Sequence, residues 1–202
     1  MAMSTAAIHA QAPPVRDEGM SRGMAGMALF IASELMLFGG LFAGYFYVRQ
    51  QADAWPPEDI EHTVTKEVGG LLTAILVSSS IAAHFGILGV KRDNQAQFKL
   101  GIAIAIVLGT IFIAGQIYEW FNLMDEGLTA DSGVYGSTFY IITGFHGAHV
   151  IAGLAMLAVV MLRAVWRDFT AARHLFADAS VLYWHFVDVI WVFVFSILYL
   201  SY

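Results

Sequence analysis

After its first 22 residues, the chain alternates between long apolar runs and short polar ones. A helix needs about 20 mostly apolar residues to cross the roughly 30 Å hydrocarbon layer of a membrane. Five segments meet that length: 23–48, 69–90, 100–121, 136–162 and 181–201. The connections between them read RQQADAWPPEDIEHTVTKEV, KRDNQAQFK, NLMDEGLTADSGVY and RAVWRDFTAARHLFADAS, each carrying Pro, Gly or several charges, as water-exposed turns do. The pattern predicts an all-α, polytopic membrane bundle of five transmembrane helices over residues 23–202. Ahead of it, residues 1–22 form a flexible polar tail that contains Pro13 and Pro14 and lacks the apolar centre of a secretory signal.

Charge placement orients the bundle. Arg16 and Arg22 in the tail, Lys91, Arg92 and Lys99 in the second connection, and Arg163, Arg167 and Arg173 in the fourth all fall on one side. Only Arg49 and Lys66 fall on the other. The positive-inside rule then predicts a cytoplasmic N-terminus and, with an odd number of spans, an external C-terminus. Aromatic residues gather near span ends, among them Tyr45, Tyr47, Tyr118, Trp120, Tyr183, Trp184 and Tyr199, where they serve as interfacial anchors.

Composition sharpens the class. The chain is 58 % apolar and 13 % charged, against about 45–50 % and 25 % in soluble domains. It has no cysteine, which removes disulfides and thiolate metal sites. Its ten basic residues form no extended patch for nucleic acid. No phosphate-binding GxxxxGK[ST] motif or nucleophile elbow is present, and no segment repeats another as in inverted-repeat transporters.

Against this apolar background the spans hold Glu34, His84, Glu119, His146, His149, His185 and Asp188. A charged group at a helix centre costs about 2.5–3.5 kcal/mol on insertion scales, so such residues face protein, water or one another. Counted from the cytoplasmic ends at 1.5 Å per residue, Glu34 lies roughly 16 Å deep, His149 roughly 20 Å and His146 roughly 25 Å. His84, His185 and Asp188 lie at roughly 9, 6 and 10 Å. Two polar layers result, and Glu34 is expected to find His149 or another buried donor. His185 and Asp188, three residues apart, share a helix face; they either bond each other or face the same partner helix. His146 and His149 share that spacing, which leaves metal or haem ligation open beside a purely structural role and a role in handling protons or lipid headgroups. Glu119, beside Trp120 at the external end of its span, reads as an interfacial carboxylate. Gly40 and Gly44 have the spacing of close helix approach, and Ser78-Ser79-Ser80 can bond its own helix or a neighbour.

Taken together, FIASELMLFGGLFAGYFYVR (30–49), AWPPE (54–58), GQIYEW (115–120), YGSTFYIITGFHGAHVIAGL (135–154) and YWHFVDVIWVFVFSILYL (183–200) resemble subunit III of the haem–copper terminal oxidases, most closely the cytochrome c oxidase form. The resemblance covers nearly the whole chain after the tail. Longer family members have seven spans; this chain is similar to a short form lacking the first two. The resemblance implies a non-catalytic subunit with no cofactor or metal of its own. Haem and copper would reside in subunits I and II, with further small subunits possible and cytochrome c donating to the complex rather than to this chain. It further implies bound phospholipids, support of proton uptake or oxygen access, and a bacterial or archaeal plasma membrane location. Glu34 matches the family's intramembrane carboxylate facing the lipid cleft, and His146, His149, His185 and Asp188 match its polar signature positions. Three other readings stand beside it: a quinol oxidase subunit III, a stand-alone proton-coupled transporter, and a haem-binding cytochrome using a pair such as His84 with His149.

Overall fold

A computed structural model describes residues 21–55, 66–166 and 169–200. Residues 1–20 of the predicted tail, the Pro-Pro-Glu of AWPPE and Arg167 lie outside the described residues, while Ser21 and Arg22, counted with the tail, open the first helix. Five helices follow in order: α1 (Arg22–Gln50), α2 (Lys66–Lys91), α3 (Gln95–Asp125), α4 (Val134–Val165) and α5 (Leu175–Leu198). All five are long and apolar enough to cross a membrane. Each predicted span has its helix, and the helices extend beyond most of the predicted ends into polar sequence.

Ser21 caps α1 by accepting from the Met24 amide. Asn94 caps α3 through the Gln97 amide after a three-residue turn in which Asp93 takes φ 52°. The largest difference from the sequence reading is α5, which begins at Leu175 rather than 181. The polar residues of LFADAS predict a connection. Asp178 instead occupies the first turn, where a carboxylate favours the positive end of the helix dipole.

α2 and α3 form the tightest hairpin. A Cβ on Gly101 would stand 2.5 Å from Gly86 Cα, and one on Gly89 would stand 2.7 Å from the Phe98 amide nitrogen. Only glycine permits backbones this close. The close approach is therefore made by Gly86, Gly89 and Gly101. Gly40 and Gly44, singled out for their spacing, have no atom of the described chain near their Cβ positions.

α5 is the hub. Half of its most apolar stretch is buried within the chain, against 6 % for α1. Trp184 is fully buried and fits between Gly109 of α3 and Gly153 of α4, where added Cβ atoms would meet its ring at 2.6 and 2.7 Å. α1 lies outermost, exposing Leu29, Phe30, Leu35 and Met36.

The connections group in pairs. Asp93 accepts from the Ala171 amide (2.8 Å), and Gln95 donates to the Phe169 carbonyl (2.9 Å), so the second and fourth connections share one end of the bundle. At the other end, Trp55 after α1 packs on Tyr135 at the start of α4.

Candidate functional site

The intramembrane polar residues sit at helix–helix contacts. Between α1 and α4, Glu34 Oε2 lies 2.9 Å from His149 Nε2. The other imidazole nitrogen, Nδ1, is 2.6 Å from the Phe145 carbonyl one turn back. A carbonyl only accepts, so Nδ1 carries a hydrogen. The Nε2···Oε2 contact then needs one further proton, held by either partner. Phe38 packs edge-on to the same imidazole at 5.0 Å, and the Tyr183 hydroxyl donates to the His149 carbonyl at 3.3 Å. The pair lies at the edge of the exposed face of α1, its side chains 18 % and 14 % accessible.

Between α2 and α5, the serine run of α2 meets the polar face of α5. Ser79 accepts from Trp184 Nε1 at 2.9 Å while donating to its own helix at Leu76. Ser80 Oγ lies 2.7 Å from His185 Nδ1. About two turns toward the other membrane face, Thr73 accepts from Trp191 Nε1 at 2.9 Å. Ser78 bonds only its own helix, at the Ala74 carbonyl, and faces outward. His84 stands beside His185 with ring centroids 6.1 Å apart. Asp188 is 6 % exposed. Ser80 is its polar neighbour, yet both carboxyl oxygens lack a hydrogen bond of normal geometry. Of the two arrangements the i, i+3 spacing allowed for His185 and Asp188, the fold adopts the one in which both face α2.

His146 is fully buried among α3, α4 and α5. Its Nε2 donates to the Val187 carbonyl at 3.2 Å, and its ring lies 4.9 Å from Trp191 and 5.8 Å from Phe112. His146 and His149 therefore turn to different partners, α5 and α1, and do not converge. His84 lies beside His185 and His149 beside Glu34, so the facing pair His84 with His149 does not form. Among the described residues, no three His, Cys, Asp or Glu side chains gather as a metal site.

Glu119 departs from its sequence reading as an interfacial carboxylate. It is 4 % exposed and accepts from the Tyr199 hydroxyl at 2.9 Å. The cause is the face it occupies: Glu119 turns inward to Tyr199, while its neighbours Tyr118 and Phe121 on the same helix are exposed. Trp120 likewise packs inward, its ring 5.4 Å from Tyr140 and over Gly144. Gln116, one turn before, is 3 % exposed with no hydrogen bond to its amide, a buried polar group that the sequence reading passed over. Thr73 was also missed; nothing in its span distinguishes it until Trp191 is known to face it. At the end where the second and fourth connections meet, Asp178 pairs with Lys91 (3.3 Å) and His174 (3.2 Å).

Such a constellation defines an integral membrane bundle whose polar side chains join helix to helix, with no convergent catalytic set among the described residues. Comparison with known proteins places it more narrowly. A family described as "Cytochrome c oxidase subunit III" matches residues 4–201. The chain is 41 % identical over 177 residues to "Cytochrome c oxidase subunit 3" of Corynebacterium diphtheriae, covering 86 % of this chain and 85 % of that one. It is 40 % identical over 175 residues to the "Probable cytochrome c oxidase subunit 3" of Nocardia farcinica, with the same coverage. With the protein of that type from Thermostichus vulcanus it shares 37 % over 180 residues, covering 87 % and 85 %. The chain belongs to the cytochrome c oxidase subunit III family.

Proposed function

We propose that this chain works as the companion subunit of a proton-translocating cytochrome c oxidase, carrying no redox centre itself and docking on subunits I and II, which hold haem and copper. Within a plasma membrane its N-terminus is cytoplasmic and its C-terminus external, an orientation supported by the Lys/Arg bias of the second and fourth connections. The observation that carries the reading is the use of the signature residues. In a subunit of the matched family, His146, His149, His185 and Asp188 lie at contacts between helices and not around a common centre.

The thinly covered α1 gives the reading a direction. Its exposed apolar face, with the Glu34–His149 pair at its edge, suits phospholipid held against the chain and a neighbouring subunit beyond. The same pair, sharing a proton between an imidazole and a carboxyl, supports a part in proton uptake by the core subunit; the apolar face would serve oxygen access. Electrons enter from cytochrome c at a partner. A quinol-oxidizing complex remains the alternative, and the names of the relatives favour cytochrome c. Purification through a tag on this chain, followed by assays with reduced cytochrome c and with a quinol, tests the proposal. Co-purifying haem and copper with cytochrome c turnover is the expected result. Recovery of the chain without haem-containing partners, or turnover with quinol alone, would overturn it.

A further inference from the structure

At the end of the bundle where Lys91 and Asp178 pair, a cavity of about 360 Å³ opens between α2 and α5, with Met24 of α1 beside it. Lys91, Asp178, His84 and His185 line it, with apolar walls that include Ile87 and Leu182. Behind the lining, Ser80 lies 2.7 Å from His185 Nδ1, and Ser80 in turn neighbours Asp188. The carboxyl of Asp188 is buried, and neither oxygen has a hydrogen bond of normal geometry from the described protein.

Apolar cavities stay dry, whereas roomy ones with several polar partners hold water. An ammonium, a carboxylate and two imidazoles meet the second condition. At about 30 Å³ per molecule the space takes on the order of ten waters. Buried polar atoms are almost always satisfied, by ordered water where protein does not reach them. A lipid phosphate is a poorer occupant, because Lys91, the one ammonium or guanidinium group in the lining, is already balanced by Asp178 at 3.3 Å. We propose that this cavity is a water-filled inlet. Its ordered waters run from the Lys91–Asp178 pair past His84 and His185 to Ser80, and supply the hydrogen bonds that Asp188 lacks. The inlet follows from the fold alone and does not depend on the oxidase reading.

The chain has no cysteine, so a single one can be introduced and read without background from this subunit. Ser80→Cys places a thiol at the inner end of the proposed inlet. Ser78→Cys, two residues away on the outward face of the same helix, is the control. Membranes containing the full complex are treated with a cationic methanethiosulfonate, and modification of this chain is followed by mass. A charged reagent is excluded from hydrocarbon, so Ser80→Cys should react on the order of a hundredfold faster than Ser78→Cys. His185→Cys, nearer the mouth, gives a second reading and should also react fast. If Ser80→Cys reacts as slowly as Ser78→Cys, the inlet does not reach Asp188 and the proposal fails, whether or not His185→Cys is labelled. Slow reaction at both positions would show a dry or lipid-filled space.

Discussion

The Glu34–His149 contact is the sharpest place to ask whether intramembrane polar residues hold this subunit together. Other polar ties at α1 include the Tyr45 hydroxyl to the Ile197 carbonyl at 3.3 Å, and Trp55 Nε1 to that same hydroxyl at 2.9 Å. Replacing both partners with leucine, singly and together, forms a double-mutant cycle. Hydrogen bonds between membrane helices average about 0.6 kcal/mol in such cycles and reach about 1.7. The carboxyl–imidazole pair, short at 2.9 Å and only 14–18 % accessible, belongs toward the upper end. A coupling of about 1–1.7 kcal/mol corresponds to roughly 5- to 18-fold in the docking equilibrium of α1. Unfolding of the four proteins in mixed micelles, followed by tryptophan fluorescence, reads the coupling. A value under about 0.3 kcal/mol, within the scatter of independent sites, would refute a structural role for the pair.

Three further outcomes follow from the packing. Gly101→Val should prevent accumulation of the subunit, because the new Cβ falls 2.5 Å from Gly86 Cα, backbone that cannot yield; wild-type levels on an immunoblot would contradict it. Trp184→Ala should cost about 3–5 kcal/mol by emptying the space between Gly109 and Gly153. Trp184→Phe, losing mainly the bond to Ser79, should cost far less, and equal losses in the same unfolding assay would argue against that division. Asp188→Ala should lower the amount of this subunit in the purified complex and leave the haem spectrum of the remainder intact; a lost haem signal at full subunit occupancy would overturn this.

The sequence carried the five helices because apolar length is a one-dimensional property. It also carried the two polar layers, since counting residues along straight helices places Glu34 near His149 and His84 near His185. Helix ends were less legible. LFADAS looks like connection by hydropathy, and only the fit of Asp178 to a first helical turn draws it into α5. α3 likewise stops four residues later than hydropathy indicates, and the burial of Glu119 depends on the face it shares with Tyr199, which hydropathy along the chain does not give. Rotation about each helix axis was the other hidden quantity. Gly40 and Gly44 have the right spacing for close approach but face outward, while Gly86, Gly89 and Gly101 face each other across a hairpin. Likewise the run at Ser78–Ser80 announces hydroxyls without saying which are satisfied by Trp184, by His185 or by their own helix.

Stripping this subunit from the purified oxidase, and following haem absorbance and copper in both fractions, tests the division of labour most directly. All haem and copper should remain with the other subunits, and the released chain should be colourless. Haem or copper leaving with the chain would contradict its assignment as a companion without redox centres.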